Sequence, residues 1–200
     1  MLIREVTYEE SDFRFLVWNL VLAWVPLLLA LFVYHRYRNG TSLVLLSPAI
    51  LIWLLFLPNA PYILTDFIHL SATRDVPVWF DGATLAAFAC TGLLIGFASV
   101  HLLHRVTRHR LSSNAAWCCV ATVLGFVSAG VCLGRFLRWN SWDVFVSPRR
   151  LTELSHAANA DALMRGAAMV VLLTILLSAA YVAYLALLRR GPTSETGTLL

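Results

Sequence analysis

Apolar residues in this chain come in runs long enough to cross a bilayer, and polar residues are confined to the gaps between them. Five runs meet or approach the roughly 20 residues an α-helix needs to span the hydrocarbon core. They are 13–34, 42–57, 83–104, 115–134 and 163–188. The second is short: it contains Pro48 and stops at Pro58, yet apolar residues resume as far as Leu70. Residues 43–70 therefore read equally as one long helix broken at the sequence PNAP. Interior prolines are tolerated in membrane helices only where the freed backbone groups find other partners, such as a buried polar site.

The gaps are of two kinds. HRYRNGTS and RVTRHRLSSN are simple turns, with Asn39-Gly40 and Ser112-Ser113-Asn114 as turn and cap residues. Residues 58–82 and 135–162 are longer, and with five spans both emerge on the same side of the membrane. In the latter, Ser147-Pro148 has the form of an N-cap followed by proline at the first helical position. It predicts a short interfacial helix with Leu151 and Leu154 on one side. The predicted organisation is an N-terminal extramembrane segment (1–12), a transmembrane bundle (13–188) and a polar tail (189–200). Glu5, Glu9, Glu10 and Asp12 before the first run, and no small-residue cleavage site after it, predict a retained span rather than a removed signal.

Composition agrees with this reading. Of 200 residues, 60% are apolar and 13% charged, against roughly 45–50% and about 25% in soluble domains. Mean hydropathy is +0.75. The fold class is therefore all-α, an integral membrane helical bundle of about five transmembrane helices. All 15 basic residues are arginine, and the net charge is +4. They are scattered in short segments between apolar runs rather than along one stripe, which argues for topology signals and against a nucleic-acid partner.

Seven arginines (36, 38, 105, 108, 110, 189, 190) fall on the side of the short turns and eight (4, 14, 74, 135, 138, 149, 150, 165) on the other. Setting aside Arg135 and Arg138 as members of a folded site leaves seven against six. The expectation is an outside N-terminus and an inside C-terminus. Cys90, Cys118, Cys119 and Cys132 lie inside apolar runs without metal-ligand spacing and are expected to be small buried packing residues.

Two segments concentrate candidate chemistry. In FLPNAPYILTDFIHL (56–70), Pro58 ends one helix, Asn59 is positioned to cap the next, and Pro61 fits its first turn. From there, the spacing i, i+4, i+7 places Tyr62, Asp66 and His69 on one helical face, with Thr65 beside them. A phenol, a carboxylate and an imidazole in an apolar segment can orient one another, bind a cation or relay a proton. Equally, such a stripe can face water or pair with a nearby arginine. In GRFLRWNSWD (134–143), Arg135 and Arg138 are i, i+3 neighbours, followed by Asn140 and Asp143. Two guanidiniums suit a phosphate or carboxylate, while interface anchoring with Trp139 and Trp142 is the alternative. Asp81 in RDVPVWFDG reads as the N-cap of the third span, and His101 and His104 as its interfacial end.

The stretches FLPNAPYILTDFIHL, WFDG and GRFLRWNSWD resemble the bacterial membrane family catalogued as domain of unknown function 1361, from the second helix through the fifth. The resemblance implies a polytopic protein of the bacterial inner membrane and no assigned activity. Its signature falls on Pro58, Asn59, Pro61, Tyr62, Thr65, Asp66 and His69, then on Gly134, Arg135, Arg138, Trp139, Asn140 and Asp143.

The expected polar site thus comprises Asn59, Tyr62, Asp66, His69, Arg135, Arg138, Asn140 and Asp143 at one membrane surface. One reading is binding, transfer or transport of an anionic lipid or other membrane-associated substrate. The other is a non-catalytic scaffold or complex subunit, with a protein partner and internal salt bridges. Ion or proton permeation ranks below both, because the third to fifth spans offer little polarity beyond Ser, Thr, Gly and Cys. No GxSxG, HExxH, P-loop or dinucleotide fingerprint occurs, so no cofactor or metal is expected, and the sequence leaves enzymatic activity and oligomeric state open.

Overall fold

The computed structural model describes residues 14–65, 78–137 and 160–190. The helices are α1 (Arg14–Arg38), α2 (Leu43–Phe56), α3 (Asn59–Tyr62), α4 (Val78–Arg110), α5 (Ser113–Leu137) and α6 (Ala160–Arg190). No strand occurs among the described residues. α2 and α3 belong to one crossing, Leu43–Thr65, so five helical segments are long and apolar enough to span a membrane. Trp18, Leu28, Val44, Leu51, Ile175 and Leu187 are all exposed. Apolar surface on that scale suits hydrocarbon rather than water. The fold is an all-α integral membrane bundle.

α4 is the central helix and α6 the peripheral one: 44% of the apolar window of α4 is buried, against 11% for α6. α1 packs on α4 and α2, and α6 packs on α5. The main core joins Val33, Trp53, Leu57, Phe97, Val100, Leu124 and Tyr181. A smaller cluster of Leu16, Ile63, Leu85 and Ala89 lies toward the end where residues 66–77 connect. Lipid tails are as apolar as this core, so helix association depends on close fit and on hydrogen bonds between helices. Trp53 Nε1 donates to Ser99 Oγ, and Ser99 Oγ donates to the Pro26 carbonyl at 3.1 Å. This chain of bonds ties α2, α4 and α1 together at fully buried Ser99.

The short turns are made by local chemistry. Gly40 adopts φ 88°, with its N–H donating to Tyr37 O at 3.0 Å and Thr41 N–H to Arg36 O at 3.0 Å, the paired bonds of a Schellman motif. Ser42 then caps α2 by accepting from Leu45 N–H at 3.4 Å. Ser112 does the same for α5 through Ala115 N–H at 3.3 Å.

Several expectations need correction. The third span, expected over 83–104, runs from Val78 to Arg110, 33 residues, or about 50 Å at 1.5 Å per residue. It overshoots the hydrocarbon core because Arg105, Arg108 and Arg110 stay helical, where their charges favour the C-terminal dipole. His101 and His104 are consequently internal to the helix, and His104 is buried. Asp81 is buried within the first turn of α4 rather than capping it. Of the cysteines only Cys132 is buried, while Cys90 and Cys118 are exposed, since those positions fall outside the packed faces of their helices. α6 continues through Arg190, two residues beyond the expected boundary at Leu188.

Candidate functional site

The segment singled out by its sequence is a helix broken and repaired in place. Pro48 cannot donate to Val44 O, and Ser47 Oγ takes over that carbonyl at 2.7 Å. At the PNAP break, Pro61 cannot donate to Leu57 O, so Ala60 N–H turns to it at 3.1 Å. With Ala60 N–H turned to Leu57 O, Asn59 Nδ2 donates to Phe56 O at 2.8 Å. Asn59 therefore reaches back across the break instead of capping α3, as expected from the sequence; α3 begins at Asn59 itself, after Pro58 in a helical conformation. The freed backbone groups are met by local donors, the condition for a broken helix at membrane depth.

The break is also clamped between two neighbouring helices. A Cβ added at Gly92 would lie 2.7 Å from Ala60 O, one at Gly96 2.7 Å from Ala60 Cβ, and one at Gly130 2.7 Å from Pro58 Cγ. Glycine at these positions of α4 and α5 is what lets the PNAP backbone approach so closely, the small-residue packing characteristic of membrane helices. Leu57, Ala60 and Ile63 are consequently all but sealed from the surface.

Of the expected site residues, Asn59, Tyr62 and Arg135 are described, and the clamp relates the last two in depth. Pro58 sits on Gly130; Tyr62 lies four residues beyond Pro58 and Arg135 five beyond Gly130. At 1.5 Å per residue both are about 6–8 Å further toward the same membrane face. Tyr62 and Arg135 are half-buried, and Arg135 and Asp81 each have interaction partners. Thr65 Oγ1 donates back to Tyr62 O at 2.7 Å. The α-helix ends at Tyr62, and residues 63–65 form a 3-10 turn. Asp66, His69, Arg138, Asn140 and Asp143 lie outside the described residues, as do residues 1–13, the expected interfacial helix after Ser147 and residues 191–200.

At the opposite end, where a simple helix terminus is expected, a cluster of histidines and aromatic rings is built into the packing. His104 Nδ1 and Tyr181 Oη are 3.0 Å apart, and the His104 ring meets Trp117 edge-on with centroids 4.8 Å apart. Tyr181 stacks on Tyr184, and His101 meets Tyr184 edge-on. The guanidinium of Arg105 lies 5.3 Å from the Tyr34 ring centroid, and Arg110 Nε donates to Tyr37 Oη at 2.9 Å. The available signal was spacing: His101 and His104 at i, i+3 on α4, and Tyr181 and Tyr184 at i, i+3 on α6. The sequence offered no means of pairing the two helices.

A family model described as "Protein of unknown function (DUF1361)" matches residues 18–180. No curated protein and no solved structure matches the chain.

Proposed function

The chain belongs to the DUF1361 family, and from that starting point we propose that it works at the membrane face where its two long connections meet. In this reading the polar set Asn59, Tyr62, Asp66, His69, Arg135, Arg138, Asn140 and Asp143 engages an anionic lipid or another membrane-associated substrate. The arginines hold the anion, and Asp66 or His69 handles a proton. The membrane is the bacterial inner membrane, with the N-terminus outside and the C-terminus inside. The observation that carries the reading is the clamp of Pro58 and Ala60 against Gly130, Gly92 and Gly96. It supports the reading because a rigid break brings Tyr62 and Arg135 to one depth, and the stretches holding the remaining candidates continue from there.

The scaffold reading also has an observation in its favour. Asn59 is committed to Phe56 O, and Arg135 already has a partner, as expected of an internal network.

Arg138→Gln and Asp66→Asn separate the two readings. For a binding site, each variant accumulates in the membrane at the wild-type level with an unchanged melting temperature, and loses retained anionic lipid in native mass spectrometry. For a scaffold, breaking a buried pair costs about 3–5 kcal/mol, and abundance and melting temperature fall while the retained lipid per folded molecule does not.

A further inference from the structure

The short-turn end of the bundle contains a cavity of about 240 Å³ between α4, α5 and α6. Pockets for drug-sized molecules begin at roughly 300 Å³, so this one suits a group of a few heavy atoms. Its described lining includes His101, His104, Arg105, Arg108, Trp117 and Arg189, with no carboxylate among the described residues. The three arginines are exposed, whereas His104 is only 4% exposed. The cavity therefore sets a buried imidazole behind a cationic opening.

Two observations of different kinds point to a ligand. The first is charge. Of the acidic residues in the chain, Glu195 alone falls on this side of the membrane by sequence; the rest belong to the N-terminal segment, the long connections and the helix starts beside them. Three arginines thus line a space whose described lining offers no counter-charge, Arg108 and Arg189 from facing helices and Arg105 with its guanidinium 5.3 Å from the Tyr34 ring centroid. The second is an unmet hydrogen-bonding demand. With Nδ1 held by Tyr181, His104 Nε2 is buried without a partner among the described residues, and so is His101 Nδ1. Buried polar atoms are nearly always satisfied, and those that are not call for an explanation. A single anion with several oxygens would meet both demands, since guanidiniums match phosphate geometry and an imidazole N–H adds a further donor.

We propose that this cavity binds a phosphate-bearing anion, held by Arg108, Arg189 and Arg105 with the imidazole of His104 behind it. The site is independent of the polar set proposed at the other membrane face and shares no residue with it. Its phosphate comes either from an anionic lipid headgroup or from a soluble phosphate.

The test uses the purified full-length protein in phosphatidylcholine nanodiscs. One arm titrates phosphatidylglycerol into the discs and counts bound lipid by native mass spectrometry; the other titrates inorganic phosphate and measures binding calorimetrically. The variant pair Arg108→Gln/Arg189→Gln is compared with Arg36→Gln/Arg190→Gln, two arginines of the same end that do not line the cavity. Both pairs alter exposed side chains, so folding is not at risk. The expected result is that one probe binds above the phosphatidylcholine background. The cavity pair weakens it about tenfold or more, as the loss of charge-assisted hydrogen bonds implies. The control pair changes it by no more than about threefold, the scale of screened surface charge. Binding of phosphatidylglycerol alone assigns the site to lipid, and binding of inorganic phosphate assigns it to a soluble ligand; either supports the proposal. If neither probe binds above background, or both pairs weaken binding equally, the arginines act only as a diffuse interfacial charge and the proposal falls.

Discussion

The two ends of the bundle are built differently. Where the long connections leave, the PNAP break is wedged against glycines of α4 and α5 with Cβ clearances of 2.7 Å, and the space beside it is an apolar crevice of about 10 Å³. That is at the limit of what holds one water. At the short-turn end, aromatic rings and histidines meet at centroid distances of 4.8–6.4 Å, beside a cavity of about 240 Å³. One end is specified by steric fit of backbone to backbone; the other is assembled from side chains and leaves space behind arginines. Asn59, Tyr62 and Arg135, the described polar residues of the more distinctive motif, sit beside the tight end, and a cavity of about 240 Å³ lies at the end whose residues look ordinary in sequence.

The contrast can be broken most directly at the clamp. Gly92→Ala sets a methyl group against a backbone oxygen that cannot rotate away, and is expected to cost about 2–3 kcal/mol, in the upper range for overpacking. Gly125→Ala, where nothing lies within 4 Å, is expected to be neutral or slightly stabilising through helix propensity. Equal melting temperatures for the two variants in detergent would show that the tight end yields and that the comparison is wrong. A smaller effect is expected midway between the ends. Ser99→Ala leaves the Trp53 indole N–H without its acceptor and Pro26 O without the Ser99 donor, a loss of about 1 kcal/mol in chemical unfolding.

The smallest effect belongs to the short-turn end. Tyr181→Phe keeps the stacked rings and removes only the hydroxyl bonded to His104, with an expected cost of about 0.5 kcal/mol, typical of a hydrogen bond between membrane helices. A cost matching that of Gly92→Ala would mean that this end is as tightly specified as the clamp.

The spans, their number and the break at PNAP were legible because each is a local property of the chain. Pro58 and Pro61 announce a break wherever they stand in a helix. Their repair was only half legible: Asn59 was expected to act locally, but its direction depends on which carbonyl the 3-10 step at Ala60 leaves open. For the candidate site, the sequence named Tyr62 and Arg135, and their similar depth follows only from the seat of Pro58 on Gly130. His101 and His104 were misread because arginines after an apolar run mark a membrane boundary by composition, whereas α4 carries those arginines onward as helix.

A bilayer admits only continuous apolar runs whose backbone bonds are met within the segment, and so the residue order suffices to say that this is a membrane bundle and where it crosses. Which faces touch is another matter. Within lipid no solvent drives helices together, and their pairing rests on fit between small residues and on a few hydrogen bonds joining residues as distant as Trp53 and Ser99 or His104 and Tyr181. Those complementarities exist only once the helices are side by side, which is why the clamp on Ala60 and the cavity behind the arginines came from the tertiary structure alone.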